Sequence, residues 1–159
     1  MSKVQYVLRY YALYYPHSHE LSKTRITKMV YLADWFSAKE YNSQITNIKW
    51  YFDHYGPYVS DVYDAAVKDS KLVIRQEVSV YGFPKEIIAL RKQYNKEQLN
   101  LYLLSDRETK ILDKVIEETR NLYWSDFINY VYDTYPIKTQ KRYSYLNLVE
   151  LARQERESG

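Results

Sequence analysis

Cysteine is absent from the 159 residues, which excludes disulfides, thiol chemistry and cysteine-based zinc sites. Histidine occurs three times, as His17, His19 and His54. His17-Ser18-His19-Glu20 places two imidazoles near a carboxylate, but a metal site needs three or four converging ligands. With only His54 left to contribute, the segment reads as a solvated polar loop. Of three glycines, only Gly56 and Gly82 lie inside the chain, and isolated glycines build no phosphate-cradling loop. No apolar run approaches the ~18 residues that a membrane span requires. Tyrosine and arginine interrupt the first apolar stretch, so no signal-peptide layout is present and a cytoplasmic location is the default expectation. Charge of one sign is lacking too. The net charge is +3, with 10 Lys/Arg against 8 Asp/Glu in residues 1–80 and 13 against 12 in residues 81–159. That balance argues against a broad phosphate-binding face.

What is abundant is tyrosine, with 20 residues. Half apolar ring and half hydroxyl, tyrosine suits core edges and binding surfaces alike. The length predicts a single domain over residues 1–159 with its own core, and there is no internal repeat, low-complexity tract or interdomain linker. No DNA-binding segment is expected before or after that domain.

The first helix has a core face of Val4, Val7, Leu8, Tyr11, Ala12 and Tyr15, and Pro16 stops it. Tyr6, Tyr10 and Leu13 line the opposite flank, leaving a narrow polar strip at Gln5 and Arg9. Either this helix is sandwiched, or it offers an aromatic stripe to a partner. Ser22 is placed to cap a second helix. Ile26, Met29, Val30, Ala33 and Phe36 form one face of it, and Lys28, Tyr31 and Trp35 a second stripe. It is therefore the expected buried central helix. Lys23, Arg25 and Lys28 cluster at its start, read as a solvated basic end or a basic patch facing a partner. After a polar loop over Tyr41–Asn47, Ile48, Trp50 and Phe52 alternate with Lys49, Tyr51 and Asp53 as in a half-buried strand. Tyr55-Gly56-Pro57 then marks a corner, since glycine can take φ > 0 and proline fixes the next φ. Ser60 is placed to cap a short helix with Val59, Val62, Tyr63, Ala66 and Val67 on one side.

Residues 72–80 are rich in β-branched side chains and end at Tyr81-Gly82-Phe83-Pro84. Glu86–Leu90 can be the return strand of a hairpin, or part of a helix starting near Pro84 and running through residues 85–98. Ser105-Asp106-Arg107-Glu108 is a capping box for a helix with Ile111, Leu112, Val115 and Ile116 inward. Ser125 reads as the cap of the next helix, closed by Pro136. Lys138, Lys141 and Arg142 read as loop, and a last helix is expected over about 144–157, with Tyr145, Leu148, Val149 and Ala152 on one face. The fold class expected is mainly α with a small β-hairpin, an α+β domain around one buried helix.

No catalytic constellation is visible. Asp53-His54 is an acid–histidine neighbour pair on an extended segment, and adjacent residues there point to opposite faces. No catalytic, cofactor-binding or metal-binding residue is assigned, and the chain reads as a non-enzyme without cofactor. Nucleic acid is disfavoured as a partner because the tyrosines are interspersed with acids as often as bases.

Lys28-Met29-Val30-Tyr31-Leu32-Ala33, the Tyr55-Gly56-Pro57 corner and Val59–Ala66 after it, in this order and spacing, resemble the Panacea domain of the SocA-like antitoxin family. The resemblance runs from about Val4 to Ile137, and Ile137 departs from the aromatic often found after the last proline. It implies a β-hairpin over 72–90. It also implies a bacterial or phage antitoxin that neutralises a cognate protein toxin by direct contact, the toxin being encoded by the adjacent gene. Some relatives act instead as adaptors presenting the toxin to a cytoplasmic protease, and a nucleic-acid-binding regulator is the further alternative. Candidate partner-binding residues are Tyr6, Tyr10, Lys28, Tyr31 and Trp35 on the second helix stripes, then Tyr55 and Tyr58 beside the corner. Gly56 and Pro57 are expected to shape the fold.

Overall fold

In the computed structural model, which describes residues 2–159, helix α1 (Lys3–Tyr14) leads through a 3-10 turn over Ser18–Glu20 into helix α2 (Lys23–Tyr41). Ser22 caps α2 as its sequence position predicts, its Oγ accepting from the Arg25 N–H at 3.2 Å. Every residue of α2 from Arg25 to Ala38 is buried. The expected central helix is thus real, but its second stripe also faces protein. Helices α3 (Asp61–Lys68), α4 (Asp106–Thr119) and α7 (Leu148–Ser158), together with α1 and strand β4 (Pro84–Leu90), pack around it.

Strand β1 (Trp50–Asp53) carries the predicted alternation, with Trp50 and Phe52 buried. It pairs antiparallel with the two-residue β2 (Gly56–Pro57) on one side and with β5 (Ser144–Leu146) on the other. Strand β3 (Leu72–Val78) pairs with β4 in the register Leu72↔Leu90 to Val78↔Pro84. Residues 84–90 are therefore strand, not helix, and the α+β class dominated by helices holds. Backbone pairing continues at the edge of this hairpin, where the Ile88 N–H donates to the Leu21 carbonyl at 3.0 Å.

Several expected boundaries move. Residues 144–146 form β5, and the last helix begins only after Asn147, whose Oδ1 accepts from the Glu150 N–H. Pairing to β1 outweighs the local helical spacing of Tyr145 and Leu148. Ser125 lies inside helix α5 (Trp124–Tyr132) and caps nothing. Pro136 opens helix α6 (Tyr135–Thr139) in place of ending α5, because a proline lacking its N–H costs nothing in a first helical turn. Ser60 makes no side-chain cap to α3, whose buried side is Val62, Ala65 and Ala66 while Val67 is exposed. The Ser105–Glu108 capping box forms in both directions, at 3.2 and 2.8 Å.

The loop between α2 and β1 is held by one buried carboxylate. Asp34 accepts from the Thr46 N–H at 2.9 Å, the Thr46 hydroxyl at 2.5 Å and the Trp50 indole N–H at 2.8 Å. Burial pushes its pKa up to about 6 against the opposing pull of these donors. The folded state then holds a proton that the unfolded chain has released. Stability from this group is present below the ordinary carboxylate range and is lost as pH rises to about 6, on the order of 3 kcal/mol in all. Urea unfolding between pH 4 and 7 should show this loss in the unaltered chain relative to Asp34→Asn. Parallel pH profiles for the two would refute it.

A tyrosine surface around the Tyr-Gly-Pro corner

The corner is a tight reversal between β1 and β2. Asp53 pairs with Gly56, and His54 and Tyr55 form the turn. Gly56 sits at φ +100°, where side chains are strained. A Cβ there would lie 3.0 Å from Tyr132 Cε1 and 3.7 Å from Lys28 Cε. Both the angle and the close approach demand glycine, so the corner seals directly against the α2 surface. Its outer side is tied to the C-terminal segment. Arg142 Nε donates to the His54 carbonyl at 3.1 Å, and its guanidinium stands 5.5 Å from the centre of the Phe52 ring.

Around this anchor the tyrosines turn outward. Tyr55, Tyr143 and Tyr145 are 76%, 60% and 73% exposed. The Tyr51 and Tyr145 rings meet edge to face at 5.0 Å. His54 packs on Tyr55 at 4.5 Å and shares a hydrogen bond of 3.0 Å with the Tyr143 hydroxyl. Lys49, Tyr51, Asp53, Tyr58, Asp61 and Tyr145 border a shallow groove of about 590 Å³. One lysine against two aspartates leaves it without a strong field, and rings held by one another lose little entropy when covered.

The expected partner residues divide accordingly. Tyr55 and Tyr58 lie on this surface. Tyr31 and Trp35 are fully buried, and the Tyr31 hydroxyl bonds the Thr134 hydroxyl at 2.8 Å. They are core residues, because other elements cover both stripes of α2. Lys28 is only 2% exposed, packed beneath the corner, which removes it from any basic patch. Its ammonium has no carboxylate within 4.0 Å among the described residues, and desolvation lowers its pKa to about 8 against the pull of Asp53. Arg25 is equally buried, so the α2 start is not a solvated basic end. On α1, Tyr6 is half-buried, and Tyr10 is buried with its hydroxyl donating to Asp113. Tyr10 forms part of the wall of a second aromatic groove with Tyr14 and Tyr102, away from the corner set. Arg9, expected on a polar strip, is buried against Asp69.

Tyr51, Tyr143 and Tyr145 were not among the expected partner residues. Tyr51 was legible as the polar side of the β1 alternation. Tyr145 was misplaced with the helix, and only β5 pairing brings it beside Tyr51. Among the described residues, no group of three or more His, Asp or Glu could hold a metal ion, and no helix is long and apolar enough to cross a membrane.

No curated protein and no solved structure matches the chain. The family model described as "Antitoxin SocA-like, Panacea domain" matches residues 26–136, from the first turn of α2 through the corner and the β3–β4 hairpin to Pro136. With the buried helix, the glycine corner and the hairpin all inside the matched segment, the chain belongs to the SocA-like antitoxin family and carries its Panacea domain.

Proposed function

We propose that this chain is a non-enzymatic antitoxin that binds a protein toxin directly, through the tyrosine surface at the Tyr-Gly-Pro corner. Exposed Tyr55, Tyr143 and Tyr145, with half-buried Tyr51 and Tyr58 beside them, carry the reading. Rigid, amphipathic rings of this kind concentrate binding energy at protein interfaces. The near-neutral groove favours a protein over a nucleic acid, which would call for a lysine- and arginine-rich track. Family membership supplies the class of partner, a toxin, and the gene beside this one is where we place it. The cytoplasm is where the two would meet.

Co-expression with the product of the adjacent gene tests this. The unaltered chain should rescue growth. Tyr51→Ala/Tyr145→Ala should bind the purified toxin roughly 10- to 100-fold more weakly, as expected when interface aromatics are truncated, while staying folded with a melting temperature lowered by a few degrees through loss of the cross-strand ring pair. Toxicity that persists with both proteins soluble would refute the antitoxin reading. Full affinity in the double variant would refute the surface.

A further inference from the structure

The two most exposed large apolar side chains among the described residues, Val80 and Tyr81, lie elsewhere, at the tip of the β3–β4 hairpin. Val78, Val80, Tyr81 and Phe83 are 70%, 93%, 83% and 70% exposed. Residues 78–84 include no charged side chain in a chain that is 27% charged. Scattered exposed apolar residues need no explanation, but a contiguous set does.

The tip is also a built turn. The Ser79 N–H donates to the Phe83 carbonyl at 2.8 Å, and the Gly82 N–H to the Ser79 carbonyl at 2.9 Å. The Phe83 N–H donates to Ser79 Oγ at 3.1 Å. Gly82 takes φ +82° with open space where a Cβ would be, so its requirement is the backbone angle alone. This is a three-residue hairpin loop closed by a left-handed glycine, a well-ordered solution for joining two strands. Three hydrogen bonds hold Val80, Tyr81 and Phe83 out in water, and the ordering cost of presenting them is met before any partner arrives.

A projection fits a concavity, and an uncharged one fits an uncharged concavity. The two rings would bury on the order of 150–250 Å² each, short of the ~800 Å² per partner of a stable interface. The rest is available without a break. Beside the outer half of the hairpin lies a groove of about 500 Å³ bordered by Lys23, Gln76, Pro84, Lys85 and Glu86. Glu86 accepts from the Tyr63 hydroxyl at 2.9 Å, and Tyr63 lies on α3, whose first residue, Asp61, borders the corner groove with Tyr58. Tyr58 already belongs to the corner surface. A belt thus runs from Tyr145 through Tyr58 and Tyr63 to the hairpin tip. A lipid surface is disfavoured, because the flanking Arg75 and Lys85 are offset by Glu77 and Glu86 and supply no net attraction to anionic headgroups.

We infer that the β3–β4 tip is an insertion element whose Val80, Tyr81 and Phe83 enter an uncharged, apolar cleft of the protein partner while the belt clasps the cleft's rim. The inference rests on the antitoxin reading and adds the manner of engagement.

The test titrates the purified product of the adjacent gene with four forms of the full chain: unaltered, the corner variant Tyr51→Ala/Tyr145→Ala, and two tip variants. Val80→Ser/Tyr81→Ser/Phe83→Ser should weaken binding about 100-fold or more and leave the melting temperature unchanged, because the side chains contact solvent. Gly82→Val keeps every tip side chain but strains the turn. It should weaken binding about tenfold. No complex with the unaltered chain sinks the antitoxin reading and this inference together. Affinity lost in the corner variant but retained by both tip variants sinks the insertion element alone. So does retained affinity alongside tip-dependent binding to phosphatidylcholine–phosphatidylglycerol vesicles, or tip-dependent self-association.

Discussion

Asp69→Ala should lower the unfolding free energy by about 3–5 kcal/mol, the cost of stranding a buried charge. Asp69 accepts from Arg9 Nε at 2.9 Å and Arg9 Nη2 at 3.0 Å, with the carboxylate and guanidinium almost wholly out of water. The same carboxylate accepts from the Lys71 N–H at 2.8 Å, and Arg9 Nη1 donates to the Leu99 carbonyl at 2.9 Å. One ion pair therefore ties α1, the α3–β3 turn and the 95–100 loop together. Without Asp69, the Arg9 charge stays buried and has lost this carboxylate. A domain of this kind has about 5–15 kcal/mol in total, so the variant should sit near the edge of folding. Arg9→Met/Asp69→Leu separates pairing from stranding. Apolar replacement of both partners is often neutral, so the double variant should recover much of what the single loses. Urea titration decides. A single-variant loss below about 1 kcal/mol, the range of a surface pair, would refute the burial argument.

This pair also shows where sequence reasoning stops. Arg9 falls on the polar strip of α1, and nothing near it in the chain announces an acid 60 residues away. Features decided within a few residues were legible: the Ser22 cap, the Ser105–Glu108 box, the inward alternation of Trp50 and Phe52, and the φ of Gly56. Features decided by distant partners were not. Ser144–Leu146 satisfies a helical spacing, and only the open edge of β1 makes it a strand. Lys28, Tyr31 and Trp35 form the same stripe whether a neighbouring element or a toxin covers it, and the packing around α2 settles the matter for the core. Tyr55 and Tyr58 stand out in the sequence because the corner beside them is unusual. Tyr143 and Tyr145 do not stand out, because their neighbours in space lie about 90 residues earlier. The hairpin tip was visible as sequence, yet its exposure depends on which strand face the core takes.

Arg25→Ala should cost about 4 kcal/mol, from lost packing together with the lost charge-assisted hydrogen bonds to two carbonyls. Arg25 is a buried cation whose Nη2 donates to the Tyr15 hydroxyl at 2.8 Å and to the Thr119 and Leu122 carbonyls at 2.9 Å each. Its guanidinium lies 4.3 Å from the Phe127 ring centre. Thr119 ends α4, where backbone carbonyls lack helical partners and the dipole favours a cation. A side chain from the first turn of α2 thus closes the C-terminus of α4 and the link into α5, and a weakly hydrated guanidinium is the cation that tolerates such burial. Its Nε has no hydrogen bond among the described residues, so the site is held by acceptors on one nitrogen and by ring stacking. Arg25→Met keeps the aliphatic stem and removes the donors. It should recover about half of the alanine loss, the packing share, while amide exchange over residues 120–127 stays elevated in both variants. A methionine variant as stable as the unaltered chain, with unchanged exchange there, would mean that Arg25 fills space without bonding the α4–α5 link. An equal loss in both variants would mean that the carbonyls alone carry the effect.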